Sequence, residues 1–496
     1  MQGIPSRLYR AAQVRELDRR AIVDHGIPGY ELMMRAGRAA WHAASEHFPG
    51  ARRPWVVCGA GTNAGDGYVV ARLALKAGRE PCVAWLKDPA TLSGDARTAW
   101  RAYRDAGGEA AEWDGGPVPE DRDLVVDGLL GTGLDRPLSG RWAAMVAAVN
   151  ASSRPVMALD IPSGLNADTG AEMGAAVRAD LTVTFVGMKL GLLTGRGPVL
   201  CGRLRFASLA IPPAVLDLQP AATRVRQDQL SRILAPRSRD AHKGRHGHVL
   251  VVGGGPGMGG APRLAAEAAL RAGAGLVTVA TRPEHVPPLL AGCPEVMSRG
   301  MENAADLDPL LERADVVALG PGLGQGEWAR AIFDRVLAAE VPLVVDADGL
   351  NLLAAVPRNR DDWVLTPHPG EAGRLLGLST GAVEEDRPAA AEALQARYGG
   401  VVVLKGAGTL ICAAGHPLAV CDRGNPGMAT AGMGDVLTGI VASFAGQSIA
   451  LPEAAAFGVL VHALAGDQAA GDAERGLMAR DLIAAIRPVV NPAVRG

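Results

Sequence analysis

The segment Gly424-Asn425-Pro426-Gly427-Met428-Ala429-Thr430-Ala431-Gly432-Met433-Gly434-Asp435-Val436-Leu437-Thr438-Gly439 carries the residue types that phosphoryl transfer needs. Gly432 and Gly434 leave backbone N–H groups free at the start of a helix predicted to begin near Asp435, a hole for a phosphoryl group in flight. Asp435 beside that hole can take the proton of a substrate hydroxyl as its oxygen attacks the terminal phosphate of a nucleotide. A plain helix N-cap would account for the aspartate but not for the glycines around it. Lys405-Gly406-Ala407-Gly408-Thr409, a strand end running into a small-residue loop, is suited to touch the nucleotide. No GxxxxGK[ST] run occurs, which excludes a Walker-type NTPase.

The first half holds a second candidate site. Val56-Val57-Cys58-Gly59-Ala60-Gly61-Thr62-Asn63-Ala64-Gly65-Asp66-Gly67 reads as a strand, a glycine-rich turn and a helix from about Tyr68. Such a turn lets backbone amides approach a phosphate, with the helix end adding positive potential. Two more strand ends follow, Val126-Asp127-Gly128 running into Leu129-Leu130-Gly131-Thr132-Gly133-Leu134, and Leu159-Asp160-Ile161-Pro162-Ser163-Gly164. Three strand ends, each delivering a polar residue and a flexible loop, predict one shared cleft at the carboxyl edge of a sheet. In the second half, Gly255, Gly257 and Gly260 spell a GxGxxG after a strand. No acid stands at the end of the next strand, 277–282, where ribose recognition would want one, so an NAD-dependent dehydrogenase is discounted.

These residues need parallel sheets to hold them, and the sequence supplies the pattern. Two amphipathic helices, 11–24 and 30–47, precede strands at 55–58, 81–85, 124–127, 156–159 and 181–185, with helices between. The alternation breaks into a polar stretch at 219–243 and restarts with strands at 248–252, 276–280, 316–319, 343–346, 363–365 and 401–405 before long Ala-rich helices. This predicts an α/β chain of two three-layer α/β/α domains, 1–225 and 226–496, and its 496 residues are enough for two cores. Lys plus Arg number 50 against 52 Asp plus Glu, a balance with no global field for nucleic acid or an anionic membrane. The start of the chain lacks the apolar stretch of a signal peptide, and no uncharged apolar run is long enough to span a bilayer; a cytoplasmic location is expected. The six cysteines show no CxxC pair and are expected to be reduced.

The first-half motifs, with Gly187-Met188-Lys189-Leu190-Gly191-Leu192-Leu193-Thr194-Gly195, closely resemble the NAD(P)H-hydrate epimerase domain family over residues 9–210. The resemblance implies a Rossmann-like fold and a loop, Thr62, Asn63, Ala64, Gly65 and Asp66, that binds the hydrated cofactor. Thr62 and Ala64 stand where the family usually has Asn and Gly. It implies further substrate contacts at Gly131, Thr132, Gly133, Leu134, Asp135, Arg136, Pro137 and Asp160, and a potassium ion held by Asn63, Asp127 and Ser163. Inverting a hydroxyl-bearing carbon beside a ring nitrogen needs an acid/base group, for which Asp160 is the candidate, assisted by Lys189. The second-half motifs, with Gly320-Pro321-Gly322-Leu323-Gly324, Asp346-Ala347-Asp348-Gly349-Leu350-Asn351 and Thr366-Pro367-His368-Pro369-Gly370-Glu371, resemble the ribokinase-like fold and, more finely, ADP-dependent NAD(P)H-hydrate dehydratases. That resemblance implies hydrate binding by Ala261, Gly322, His368 and Asp435, and adenine-nucleotide binding by Lys405 to Thr409 and Gly434. ADP or ATP would be the phosphoryl donor, with Mg2+ on its phosphates, and Asp435 the base. His368 can equally be a structural turn residue. The partners expected are small molecules, neither nucleic acid nor membrane, and the chain is taken to be a homo-oligomer. Two other readings stay open on the residues: a vitamin kinase of the hydroxymethyl-thiazole or pyridoxal type, and a non-enzymatic binding role for the first half.

Overall fold

The computed structural model describes residues 3–491, and the chain divides into two compact units after Thr223. In the N-terminal unit seven parallel strands lie in the order Glu109–Glu112, Cys82–Trp85, Pro54–Cys58, Leu124–Gly128, Val156–Leu159, Leu181–Phe185, Arg203–Ala207. The central strands are buried on both faces and built from Val, Leu and Ala, as a sheet covered on both sides requires. One face packs the helices Ala11–Arg19, Gly29–His47, Thr62–Lys76 and Gly94–Asp105; the other packs Gly140–Ala151, giving three layers. Strand order reverses between Pro54–Cys58 and Leu124–Gly128, so their carboxyl ends open the crevice in which a doubly wound sheet binds ligands.

In the C-terminal unit seven parallel strands, Met297–Gly300, Leu276–Thr281, His248–Val252, Val316–Leu319, Leu343–Val345, Trp363–Leu365 and Val401–Leu404, are followed by the antiparallel pair Thr409–Ala413 and Leu418–Cys421. Helices Gly260–Arg271, Met433–Gly446, Leu451–Ala470 and Ala479–Val489 bury one face under an Ala- and Val-rich core. Gly439 lets two of these helices meet closely: a Cβ there would lie 2.0 Å from the Ala265 carbonyl oxygen. Gly439→Ala is therefore expected to cost about 2–3 kcal/mol, by forcing apart the helix that begins beside Asp435, and to lower the midpoint of chemical denaturation. An unchanged midpoint would show that the crossing is not tight.

Several elements differ from the sequence expectation. The helix after the first glycine turn begins at Thr62, not near Tyr68, because Gly65 and Gly67 serve packing and do not unwind the chain. A Cβ on Gly65 would sit 2.6 Å from the Met33 Cε, and one on Gly67 would sit 3.0 Å from the Cys58 Sγ. The first helix is α-helical only over Ala11–Arg19 and closes with a π-helical turn, Arg20–Asp24. The stretch at 401–405 ends one residue early and turns into a hairpin, whose returning strands carry too little alternation to be read from sequence. The outer strands Glu109–Glu112, Arg203–Ala207 and Met297–Gly300 also escaped the pattern, being short, polar or exposed. Among the described residues no helix is long and apolar enough to cross a membrane.

Candidate active sites

In the N-terminal unit the switch point brings Asn63, Asp127 and Ser163 together. Asp127, fully buried at its strand end, accepts from the Ser163 hydroxyl at 2.6 Å and the Ser163 amide at 2.8 Å. Burial pushes its carboxyl up to about 6, against the pull of those hydrogen bonds and one from the Leu129 amide. The Asn63 Nδ2 donates to the Leu130 carbonyl at 2.9 Å, while its Oδ1 is buried without a hydrogen-bond partner. A buried, unspent carbonyl oxygen beside a carboxylate and a hydroxyl is a donor set for a hard cation. Among the described residues no group of three or more His, Cys, Asp or Glu could hold a metal, so such an ion would draw mainly on neutral oxygens.

Asp160 has a left-handed backbone, with φ of 65°, which aspartate tolerates better than most residues. Its Oδ1 accepts from the Lys189 ammonium and, at 3.2 Å, from the Phe185 amide. Lys189 is completely buried, and it also donates at 3.0 Å to both the Thr184 hydroxyl and the Phe185 carbonyl. Its three N–H groups are thereby spent on Asp160, Thr184 and Phe185. Two further carboxylates share this field. Burial raises Asp66 well above the usual range, with Asp160 and Asp18 adding to it. Asp18 is pushed up to about 6, chiefly by burial, with Lys189 pulling the other way. Asp18 was not singled out from sequence, because it lies in an ordinary amphipathic helix whose contact partners are far along the chain. Of the expected binding loop, Ala64 is fully buried and Gly65 packs on Met33, so only their backbones can face a ligand. Thr62 is exposed, as are Gly133, Asp135, Arg136 and Pro137 in the loop after Leu124–Gly128, and Gly131 lies against Asn63.

In the C-terminal unit Gly432, with φ of 86°, starts helix Met433–Gly446, and Asp435 stands in its first turn. Burial lifts the Asp435 carboxyl to about 7; nearby Asp346 adds to the shift and Lys405 opposes it. Asp346 is 2% exposed at the end of strand Leu343–Val345 and binds the Lys405 ammonium at 2.7 Å and the Thr438 hydroxyl at 2.9 Å. Burial disfavours both charges, but their attraction outweighs it: Asp346 is held below, and Lys405 above, the ordinary value. A Cβ at Gly434 would lie 3.3 Å from the Asp346 Oδ2 and 3.5 Å from the Lys405 Nζ, so the glycine keeps the space over this pair open. Ala347 follows with φ of 49°, a strained position for a residue with a Cβ. Glu371, 6% exposed, adds a carboxylate 3.8 Å from Lys405.

Asp346 and Glu371 lie inside the sequence motifs but carry no predicted role; the available signals are an acid just after strand Leu343–Val345 for Asp346 and an acid in the first turn of helix Pro369–Leu376 for Glu371. His368 does cap helix Pro369–Leu376, its Nδ1 accepting from the Gly370 amide at 3.0 Å and the Glu371 amide at 3.3 Å. Its side chain is still 52% exposed, so the cap leaves an edge for a ligand. Gly322 approaches Ala261, a Cβ on the glycine falling 3.1 Å from the alanine methyl. The turn Lys405 to Gly408 is pinned by Arg387, which donates to the Leu404 and Lys405 carbonyls at 3.3 and 3.1 Å. The Gly255 amide, at the start of the GxGxxG run, is taken by the Gly322 carbonyl at 2.6 Å, and the Gly254 amide before it by the Pro321 carbonyl at 3.0 Å, so the start of the run is committed to a neighbouring loop.

Two parallel-sheet units, each presenting buried acids and a helix N-terminus at a carboxyl edge, define a two-site α/β enzyme. The C-terminal unit is similar to a ribokinase-like superfamily protein of Enterococcus faecalis, with a TM-score of 0.51 and 33% identity over 55% of this chain and 96% of that one. A family model described as NAD(P)H-hydrate dehydratase matches residues 249–488, and one described as YjeF-related protein N-terminus matches residues 29–191. The bifunctional NAD(P)H-hydrate repair enzyme of Coxiella burnetii is 48% identical over 98% of this chain and 99% of its own length. That of Escherichia coli is 44% identical over 99% and 95%. The chain belongs to the bifunctional NAD(P)H-hydrate repair enzymes.

Proposed function

We propose that the N-terminal unit interconverts the R and S hydrates of NADH and NADPH, and that the C-terminal unit dehydrates the S-hydrate with ADP, giving NAD(P)H, AMP and phosphate. The observation that carries the second half is the Asp435 carboxyl, raised to about 7 beside a helix N-terminus and the Lys405–Asp346 pair. A base so poised is half ionised near neutral pH, where general-base catalysis works best. Asp435 would take the proton of the ring hydroxyl as its oxygen forms a bond to the terminal phosphorus of ADP and AMP leaves. The amides at Gly432 to Gly434 would hold the developing charge. The ring nitrogen's electrons would then break the carbon–oxygen bond, phosphate would depart, and loss of a proton from the adjacent carbon would restore the ring double bond. Ala261, Gly322 and His368 are assigned to the hydrate, and Lys405, Gly406, Ala407, Gly408, Thr409 and Gly434 to the adenine nucleotide. Magnesium on the nucleotide's phosphates would neutralise part of their charge, which leaves Asp435 free as the base.

In the N-terminal unit the proton shared between Lys189 and Asp160 would pass through Asp160 to the departing hydroxyl, which leaves as water, and return to the pair from the incoming water. Thr62 to Asp66 and Gly131 to Pro137 would embrace the hydrate, and potassium at Asn63, Asp127 and Ser163 would order both loops. The unspent Asn63 Oδ1 supports that ion. The six cysteines, all free of disulfides, suit the reducing cytoplasm.

The test supplies both hydrate epimers with ADP and magnesium and follows the return of reduced-nicotinamide absorbance. Wild type should convert all of the mixture faster than uncatalysed epimerisation allows. Asp160→Ala should stop quickly after the S-hydrate is spent, with epimerisation slowed by about 10²–10⁴-fold. Full, fast conversion by that variant would remove Asp160 from the mechanism.

A further inference from the structure

The C-terminal unit contains a cleft of about 740 Å³ that no catalytic residue lines. It lies at the amino-terminal end of the sheet, against the turn before strand His248–Val252, whereas the catalytic groups sit at the carboxyl end. Four arginines border it, Arg237, Arg245, Arg271 and Arg487, and no acidic residue does. Helices Gly260–Arg271, Met433–Gly446 and Ala479–Val489 also end there, and their carbonyl ends prefer cations, which explains part of the arginine content. Arg237 is used in this way, donating to the Gly273 carbonyl. Arg245 pairs with exposed Asp240 at 3.2 Å. Among the described residues the Arg271 and Arg487 guanidinium groups have no hydrogen-bond or ion-pair partner, and with Arg245 offset by Asp240 the other three full charges still outweigh three helix ends of about half a charge each. His246, which also lines the cleft, buries its Nε2 without a partner. Gln447 and Asn491 also line it, and Leu234, Leu270, Ile449 and Val490 form an apolar part of the wall.

We propose that this cleft is a second ligand site, remote from catalysis, for a small phosphorylated molecule with an apolar or aromatic body. Guanidinium forks match phosphate oxygens in pairs, the unspent imidazole nitrogen adds a further polar contact, and the Leu and Ile wall takes the ring. The volume is that of an ordinary small-molecule pocket.

Phenyl phosphate and inorganic phosphate serve as probes, titrated at low salt into the full-length protein and three variants: Arg271→Ala/Arg487→Ala, Arg271→Lys/Arg487→Lys, and Asp435→Asn. Phenyl phosphate should bind saturably to wild type and to Asp435→Asn alike, at least tenfold more weakly to the double alanine variant, and at an intermediate level to the double lysine variant. Inorganic phosphate should bind more weakly than phenyl phosphate. Thermal unfolding without ligand checks that each variant is folded. Equal affinity in wild type and a folded double alanine variant overturns the proposal, and so does loss of binding in Asp435→Asn alone. If the double alanine variant fails to fold, the lysine variant decides: undiminished binding there overturns the proposal, because a point charge would then do as well as the fork.

Discussion

Asp435→Asn is expected to lower S-hydrate dehydration about 10³-fold, a barrier increase of about 4 kcal/mol, while epimerisation keeps the wild-type rate. The amide fits the same space but cannot take the hydroxyl proton. With a carboxyl raised to about 7, the dehydration rate of wild type should climb between pH 6 and 8 and be lost on the acid side, because only the ionised form is a base. Stability runs the opposite way. A carboxyl whose folded value lies above its unfolded one stabilises the fold fully below the unfolded value, and that contribution disappears as pH rises through about 7. Asp435→Asn should therefore unfold at a higher temperature than wild type at pH 8 and lose that advantage near pH 4. A variant that turns over S-hydrate at the native rate would defeat the mechanism, and one with no stability gain at pH 8 would defeat the electrostatic account.

Asp346→Ala should strongly destabilise the C-terminal unit. It strands the Lys405 ammonium, 20% exposed, without the carboxylate 2.7 Å away. Removing one partner of a buried pair costs about 3–5 kcal/mol, since the other charge keeps its desolvation penalty. Lys405→Met should cost a similar amount by leaving Asp346 alone, and the Thr438 hydroxyl cannot replace an ammonium. The double variant Asp346→Ala/Lys405→Met should be more stable than the sum of the two losses predicts, by about 2 kcal/mol or more. Chemical denaturation of the four proteins closes the cycle, and strict additivity would show that the pair is not coupled. Dehydration should fall in all three variants, because Asp435 feels both charges.

Much of the arrangement was written in local sequence. The strand cores 55–58, 124–127, 248–252 and 316–319 are rich in Val, Leu and Ala, as burial in a covered parallel sheet requires, and each is followed by the glycines of a loop. Asp127, Asp160 and Asp435 could be picked out because strand ends and helix starts have short-range signatures. The helix at Thr62 was placed late because a glycine used for close packing looks the same, in sequence, as one used to turn the chain.

The residue types at each strand end, and hence the kinds of chemistry available, were determined by the sequence alone. Tertiary structure decided which charges meet: Lys405 with Asp346 across 59 positions, Lys189 with Asp160 across 29, and Asp18 brought from the first helix into the same field. The physical reason is range. Backbone propensity and hydrophobic period act over a few residues, whereas a carboxyl's proton affinity depends on burial and on charges that only folding brings near.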